Sequence, residues 1–115
     1  MGRAFLIVID RVGIGGAPDA DQFFNGDRPD TGANTVAHIA QSAGLVVPTL
    51  DAMGLGAAVK LASGEAAPGL DATPTGAWGA ATEISRGKDT PSGHWELAGV
   101  PVPWEWHTFP DTDPA

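Results

Sequence analysis

The chain has 115 residues, 43% of them hydrophobic, which is enough for one domain with a modest core and too apolar for a disordered acidic tail. Its formal net charge of −8 argues against binding to nucleic acids or anionic membrane surfaces, because their phosphates would be repelled. The absence of cysteine excludes disulfides and thiolate metal sites, so any metal would need oxygen and nitrogen ligands.

The first predicted element is a strand over residues 4–9, a continuous apolar run rich in β-branched side chains. Such a run is typical of a strand that is buried on both faces of a parallel sheet. It is too short to span a membrane and lacks a cleavage site, so a cytoplasmic location is expected. Asp10 ends the run, and the glycines that follow predict a sharp turn at the strand's C-terminal end, where open α/β sheets bind ligands.

Further along, the sequence predicts two helices and two weaker strands. Asn34 or Thr35 can cap a helix that runs to about Ala43, and a short helical turn follows over Pro48–Met53. Residues 57–61 are predicted as a short strand, residues 63–75 as loop, and residues 76–85 as a strand because their apolar side chains alternate. This order of strands and helices indicates the α/β class.

Residues 87–96 bring together a cation, a carboxylate, two hydroxyls and an imidazole. Pro91 suits the first turn of a helix with Thr90 as its N-cap, although Ser92 or Gly93 could equally begin the helix. In either arrangement Thr90 lies beside backbone N–H groups at a helix N-terminus, which favour an anion. A phosphate on the Thr90 hydroxyl would be stabilised there, and a bound metal could lower the pKa of that hydroxyl.

Position alone favours structural roles for these side chains. Asp10 could bind a divalent cation, but a carboxylate there more often bonds the backbone of its own turn. Thr90 is more simply a capping residue than a nucleophile. Lys88 could neutralise a phosphate or be an ordinary solvated lysine. His94 could be a ligand, an acid–base group or a structural hydrogen-bonding histidine, and His38 is interpreted as structural.

Two segments of the chain resemble the phosphopentomutases of the alkaline phosphatase superfamily. Residues 87–102, GKDTPSGHWELAGVPV, resemble the signature segment of the family. Residues 3–10 with residues 13–15 resemble its N-terminal strand and metal loop. Between these two segments, shorter matches occur in the same order as in the family, over residues 32–35, 38–40, 48–50 and 53–56. Arg11 and Asn34 depart from the pattern, at positions where a small and an acidic residue are expected.

The resemblance implies a partial alkaline-phosphatase-like core, a mostly parallel sheet with flanking helices that stops near the start of a cap domain. Residues 1–99 would form the N-terminal part of the metal-binding core, and residues 100–115 would begin the connection to the missing cap domain. Thr90 would be the phosphothreonine and contact metal, and Asp10 would be a metal ligand. Two divalent cations, usually manganese, and a sugar bisphosphate activator would serve as cofactors.

The reaction implied by the resemblance interconverts the 1-phosphate and 5-phosphate of ribose or deoxyribose through a sugar bisphosphate intermediate. Its substrate would be a pentose phosphate. The family's proteins are several times longer and carry their other metal ligands in a C-terminal half absent from this chain. We therefore expect a truncated chain that is inactive and marginally folded on its own, because its sheet has lost strands.

Two alternatives stay open at this point. One is another phosphomutase or phosphatase of the alkaline phosphatase superfamily, such as a cofactor-independent phosphoglycerate mutase. The other is a non-catalytic small α/β protein that binds a metal or a partner through exposed sheet edges.

Overall fold

Four helices and one pair of short strands make up the regular structure of residues 2–86 and 89–106, the part of the chain described by the computed structural model. The chain divides into two units, residues 1–81 and residues 82–115. The elements of the first unit are a 3-10 turn at Ala20–Gln22, β1 (Phe24–Asn25), β2 (Arg28–Pro29), α1 (Thr35–Ser42), α2 (Pro48–Met53) and α3 (Leu55–Ser63). The second unit contains α4 (Thr90–Leu97). No helix among the described residues has the length and apolar content needed to cross a membrane.

The apolar run near the start of the chain is not a strand. Residues 4–9 belong to no helix or strand, and their side chains are exposed, with Leu6 at 85%. The prediction of a buried strand is wrong here, because such a strand needs paired neighbours on its edges and layers on its faces. None of the described residues supplies those partners.

The parallel sheet expected from the resemblance is likewise not formed by the described residues. Their one strand pairing joins β1 and β2 in antiparallel register, with Phe24 opposite Pro29 and Asn25 opposite Arg28. Helices together with this strand pair confirm the α/β class in a coarse sense only. A two-residue ribbon with exposed side chains organises little of the fold.

Two other strand predictions are wrong as well. Residues 57–61 lie within α3, where alanine and leucine are strong helix formers. Ala58 and Val59 are adjacent in sequence and both are buried. In a strand with one buried face, adjacent side chains would alternate between buried and exposed, whereas a helix packed on the core can bury both. Residues 76–85 form no helix or strand, so the alternation of their apolar side chains did not decide their structure.

The helix predicted after Asn34 is confirmed as α1, and Asn34 is its N-cap. The Asn34 Oδ1 atom accepts a hydrogen bond from the Ala37 N–H at 3.1 Å. Its Nδ2 atom donates to Ser63 Oγ at 2.9 Å and to Glu65 Oε2 at 3.2 Å. The side chain is only 2% exposed, so these hydrogen bonds replace the ones that it would make to water in the unfolded chain. Asn34 therefore joins the start of α1 to the end of α3.

The core of the first unit lies between α1, α3 and the chain that follows α3. In α1, Ala40 lies three residues after Ala37 and four after Val36, so the three side chains share one face of the helix. The buried residues of the core are Val36, Ala37, Ala40, Val59, Ala67 and Leu70, with Ile14, Leu45, Val47 and Leu55 partly buried against them. Because half of the fully buried side chains are alanines, the core buries a modest apolar area.

Two glycines have distinct roles at the junction of α2 and α3: Gly54 joins the two helices, and Gly56 lets α3 pack closely against Leu70. Gly54 has a φ of 118°, and its N–H donates to the carbonyls of Leu50 and Asp51, which ends α2 where the sequence predicts. Gly56 lies in the first turn of α3 against Leu70. A Cβ atom at Gly56 would come within 2.1 Å of the Leu70 carbonyl oxygen. Only a residue without a side chain allows this approach.

Replacing Gly56 with alanine should destabilise the first unit by about 1–3 kcal/mol, the usual range for overpacking a core. Glycine-to-alanine changes within helices normally stabilise by about 1 kcal/mol, so the sign of the effect is diagnostic. Urea unfolding followed by far-UV circular dichroism measures it. Gly93→Ala is the matched control, because Gly93 also lies within a helix, α4, and a Cβ atom there meets nothing within 4 Å. A more stable Gly56→Ala chain would show that Leu70 does not pack on α3.

Candidate functional site

Thr90 is the first residue of α4, and its side chain is exposed. The N-cap of the helix is Asp89, in extended backbone conformation with φ −142° and ψ 157°. The prediction that Thr90 caps the helix is therefore wrong by one residue, whereas the place of Pro91 in the first turn is confirmed. The Thr90 hydroxyl is thus presented to solvent at the positive end of the helix.

The Asp89 carboxylate holds the first turn of α4 with both oxygens. Its Oδ1 atom accepts a hydrogen bond from the Ser92 N–H at 2.8 Å, and its Oδ2 atom accepts one from the Ser92 hydroxyl at 3.0 Å. Ser92 is fully buried, and its Oγ atom also accepts a bond from Trp106 Nε1 at 2.9 Å. An aspartate suits this position because its carboxylate satisfies N–H groups and offsets the helix dipole.

Glu96 connects α4 to the segments that precede and follow it. Its Oε1 atom accepts a bond from the Ile84 N–H at 2.9 Å, and its Oε2 atom accepts bonds from the Ser85 N–H at 2.8 Å and from the Ser85 hydroxyl. The Ser85 Oγ atom in turn accepts a bond from the Val102 N–H at 3.0 Å. The Ser85 hydroxyl, followed by the Ile84 N–H, lowers the pKa of Glu96 below its ordinary value of 4.5.

The C-terminal end of α4 is a Schellman motif. Gly99 has a φ of 86°, and its N–H donates to the Glu96 carbonyl at 2.8 Å. The Val100 N–H donates to the Trp95 carbonyl at 2.9 Å, which completes the pair of bonds typical of this motif. The chain is thereby turned back toward the helix, where Val102 is buried at 1% exposure.

Three tryptophans pack edge to face in the second unit. The ring of Trp95 lies 6.2 Å from that of Trp104 and 6.3 Å from that of Trp106, centroid to centroid, at nearly perpendicular angles. Trp104 and Trp106 are 5.9 Å apart. This geometry is favourable for aromatic pairs. The cluster and the Trp106–Ser92 bond together attach residues 104–106 to the helix that begins with Thr90.

The structure supports a structural interpretation of His94. Its Nδ1 atom lies 2.8 Å from the Thr90 carbonyl oxygen, and it must donate because a carbonyl only accepts. His38 lies on α1 as predicted, exposed and 3.9 Å from a Glu65 carboxylate oxygen. Lys88, predicted either to neutralise a phosphate or to be solvated, lies outside the described residues.

Asp10 lies in a turn with Arg11, and its side chain is exposed. Arg11 has a φ of 60°, so the backbone reverses in the left-handed region immediately after Asp10. A turn is therefore present past the apolar run, but its left-handed residue is Arg11 and not one of the glycines that predicted it, and the strand before it is not formed. Beyond the turn, the Gly13 carbonyl accepts a bond from the Val36 N–H at 3.2 Å, which places the glycine-rich segment against the start of α1.

The described residues do not by themselves present a metal site. Within residues 2–86 and 89–106, no three His, Asp or Glu side chains are placed to hold one ion. Asp10 belongs to the first unit and Thr90 to the second. Their roles as metal ligand and phosphate carrier stay predictions.

Sequence reasoning missed Asp89 and Glu96, the two carboxylates that hold α4 in place. A local signal for Asp89 was present, since an aspartate two residues before a proline at a helix start is a good N-cap candidate. Glu96 gave no such signal. Its partners at positions 84 and 85 lie more than two helical turns away in sequence, and only the folded chain brings them together.

The chain is similar over its whole length to proteins named phosphopentomutase. It is 50% identical over 130 residues to the protein of Methylobacterium nodulans and 49% identical over 130 residues to a protein of Methylorubrum extorquens. It is 48% identical over 128 residues to the protein of a Chelativorans species. Each alignment covers 100% of this chain, but the chain spans only 30–31% of the length of these relatives. No protein-family model matches the chain.

Asp89→Ala should cost about 1 kcal/mol of helix stability, because the Ser92 N–H loses its acceptor. Amide hydrogen exchange at Ser92 measures the effect directly, and exchange should become faster. Asp89→Asn should retain most of the protection, since an asparagine oxygen can also cap. The matched control is Asp19→Ala, because Asp19 precedes the 3-10 turn without a side-chain capping bond. Unchanged exchange in Asp89→Ala would contradict the cap.

The stability of the second unit should depend on the protonation of Glu96. A carboxyl whose pKa is lowered on folding stabilises the fold at pH values above its unfolded pKa of about 4.5. That stabilisation is lost as pH falls through the lower folded pKa. Tryptophan fluorescence during unfolding, measured between neutral and acidic pH, reports it. Glu96→Gln should flatten this pH dependence, and Glu105→Gln, an exposed control, should leave it unchanged.

Proposed function

We propose that this chain supplies the Thr90 and Asp10 parts of a phosphopentomutase, an isomerase that interconverts the 1-phosphate and 5-phosphate of ribose or deoxyribose. The observation that carries the proposal is the 50% identity, over the entire chain, to a protein named phosphopentomutase. Because the chain spans 31% of that relative, we assign the complete activity to a protein of the relatives' length. Other phosphomutases of the superfamily are less well supported, since the relatives named above share one name.

Thr90 is proposed to carry the phosphoryl group. Support comes from its exposed position at the first residue of α4, where a substituent on the hydroxyl meets the positive end of the helix dipole. The turn beneath it is held by Asp89, Ser92 and the cap geometry, so the hydroxyl is carried on a defined backbone. A nucleophile on a rigid element loses little entropy when it reacts.

The proposed reaction exchanges one phosphate ester for another. The phosphorylated Thr90 transfers its phosphoryl group to the free hydroxyl of a pentose phosphate, so the bond from phosphorus to the Thr90 oxygen breaks as a bond to the sugar oxygen forms. The proton of the sugar hydroxyl leaves as the new ester forms, and the Thr90 oxygen regains a proton. The second transfer takes the other phosphoryl group of the sugar bisphosphate back to Thr90. No water or nucleotide is consumed in this cycle.

Charge is the main difficulty for this chemistry in this chain. The net charge is −8, and the Asp89 carboxylate adjoins the residue that would carry a phosphate. We propose that two divalent cations, manganese by resemblance, are bound by Asp10, Thr90 and ligands from outside the described residues. Bound cations offset the charge that builds up on a transferred phosphoryl group.

The remaining expectations follow from the same assignment. In a protein of the relatives' length, we propose that residues 4–9 form a strand of a parallel, alkaline-phosphatase-like sheet that ends at Asp10. A buried strand of this kind explains a six-residue run without a single polar side chain. A sugar bisphosphate activator and a cytoplasmic location are part of the proposal.

In a protein of the relatives' length, Thr90→Ala should abolish incorporation of phosphate from a labelled sugar bisphosphate and reduce mutase activity by about three orders of magnitude or more, because the covalent step is lost. Mass spectrometry of the phosphoenzyme and a coupled activity assay measure the two effects.

Thr35→Ala is a closely matched control. Thr35 is also an exposed first residue of a helix, and it also follows a capping side chain, Asn34. Phosphate incorporation and activity should stay near the unmodified level in this variant. Full mutase activity in Thr90→Ala would refute the assigned role.

A further inference from the structure

The chain that leads into Thr90 is fixed to α4 by the Glu96 carboxylate. Glu96 Oε1 accepts a hydrogen bond from the Ile84 N–H at 2.9 Å, and Oε2 accepts bonds from the Ser85 N–H at 2.8 Å and from the Ser85 hydroxyl. These bonds between Glu96 and residues 84–85 are termed the Glu96 clamp. Only residues 86–89 separate Ser85 from Thr90, so the clamp holds the chain shortly before it enters the helix that Thr90 begins.

The Ser85 hydroxyl extends the Glu96 clamp to a third segment. Its Oγ atom accepts a bond from the Val102 N–H at 3.0 Å, and the Arg86 N–H donates to the Val102 carbonyl at 3.2 Å. Ser85 and Val102 are buried, at 8% and 1% exposure, so water has little access to these bonds. Hydrogen bonds to a charged acceptor are also stronger than neutral ones. The entering chain is therefore held both by α4 and by the segment that follows it.

Glu96 lies too far along α4 to act on a group bound to Thr90. It is six residues after Thr90 in the same helix, which corresponds to about 9 Å along the axis at about 1.5 Å per residue. Its two oxygens already accept the bonds of the clamp. Any effect of Glu96 on the Thr90 hydroxyl must therefore pass through the backbone. Asp89 caps the first turn from within the helix, whereas Glu96 fixes the direction from which the chain arrives.

We propose that Glu96 is a positioning residue for phosphoryl transfer at Thr90, because the Glu96 clamp fixes the chain that enters the helix bearing the nucleophile. This inference rests on the proposed function. A shift of Ser85 is passed on to Thr90 through a short connection, and a misplacement of about 1 Å can slow a reaction about a hundredfold. The substitutions Glu96→Gln and Glu96→Ala should act in graded order. Glutamine keeps one accepting oxygen for one end of the clamp, and alanine keeps none.

Rapid-quench measurement of phosphoenzyme formation separates positioning from stability. In a protein of the relatives' length with saturating labelled sugar bisphosphate, the amplitude reports the folded fraction and the rate constant reports how well Thr90 is placed. Glu96→Ala should lower the rate constant about 10-fold to 100-fold, with Glu96→Gln between it and the unmodified protein. If Glu96→Ala does not fold, Ser85→Ala takes its place. It removes the hydroxyl shared by Glu96 and Val102, keeps both backbone bonds, and should lower the rate constant by a smaller factor.

Two control variants accompany the measurement. Glu105→Gln makes the same chemical change at an exposed position and should leave the amplitude and the rate constant unchanged. Val102→Ala removes a buried side chain but keeps the backbone groups that bond Ser85 and Arg86. It should lower the midpoint of thermal unfolding without lowering the rate constant.

An unmodified rate constant in Glu96→Ala, or in Ser85→Ala where that variant replaces it, would overturn the positioning role. An equal loss of rate in Val102→Ala and Glu96→Ala would also overturn it, because the effect would then follow stability alone. Phosphoenzyme formation in a Thr90→Ala protein would overturn the proposed function itself, and this inference with it.

Discussion

The contacts that tie the starts of α1 and α4 to distant parts of the chain depend on the side chains that cap these helices. Each capping side chain satisfies a backbone N–H group in the first turn of its helix. Asn34 does so for α1 and Asp89 for α4, each with a side-chain oxygen that accepts from the residue three positions on. In both cases the cap also holds a distant part of the chain, through Ser63 and Glu65 in the first unit and through Ser92 and Trp106 in the second. The caps therefore couple local helix formation to tertiary structure.

Because two helices of this chain begin with similar caps, the local geometry of a helix start does not by itself identify a nucleophile. Thr35 and Thr90 are both exposed first residues of helices, and each follows a residue whose side chain caps the first turn. The difference lies in what surrounds them in a complete enzyme. Phosphoryl transfer depends on positioning and on cations that offset charge, and these come from many parts of a protein. The proposed function therefore rests on similarity over the whole chain, with the helix start as its supporting geometry.

The apolar run of residues 4–9 is consistent with the sheet proposed for a protein of the relatives' length. Its sequence suits a strand between two neighbours, and the described residues offer it none. The free energy that would be gained by burying it remains available to any surface that can pair with it. In a protein of the relatives' length, the sheet proposed above would provide that surface.

By itself, the sequence determined the features that act within a few residues: the start of α1 at Asn34 or Thr35, the start of α2 at Pro48 and its end at Gly54. Capping bonds, the fixed φ of proline and the freedom of glycine are local and leave a readable pattern. Tertiary structure decided that Glu96 binds positions 84 and 85 and that Leu70 packs against Gly56, because both contacts join atoms far apart in sequence. The helix over residues 57–61 and the Asp89 cap of α4 instead follow from helix propensity and a capping bond, which act locally. The run of residues 4–9 is the clearest case, because a strand exists only where another strand pairs with it.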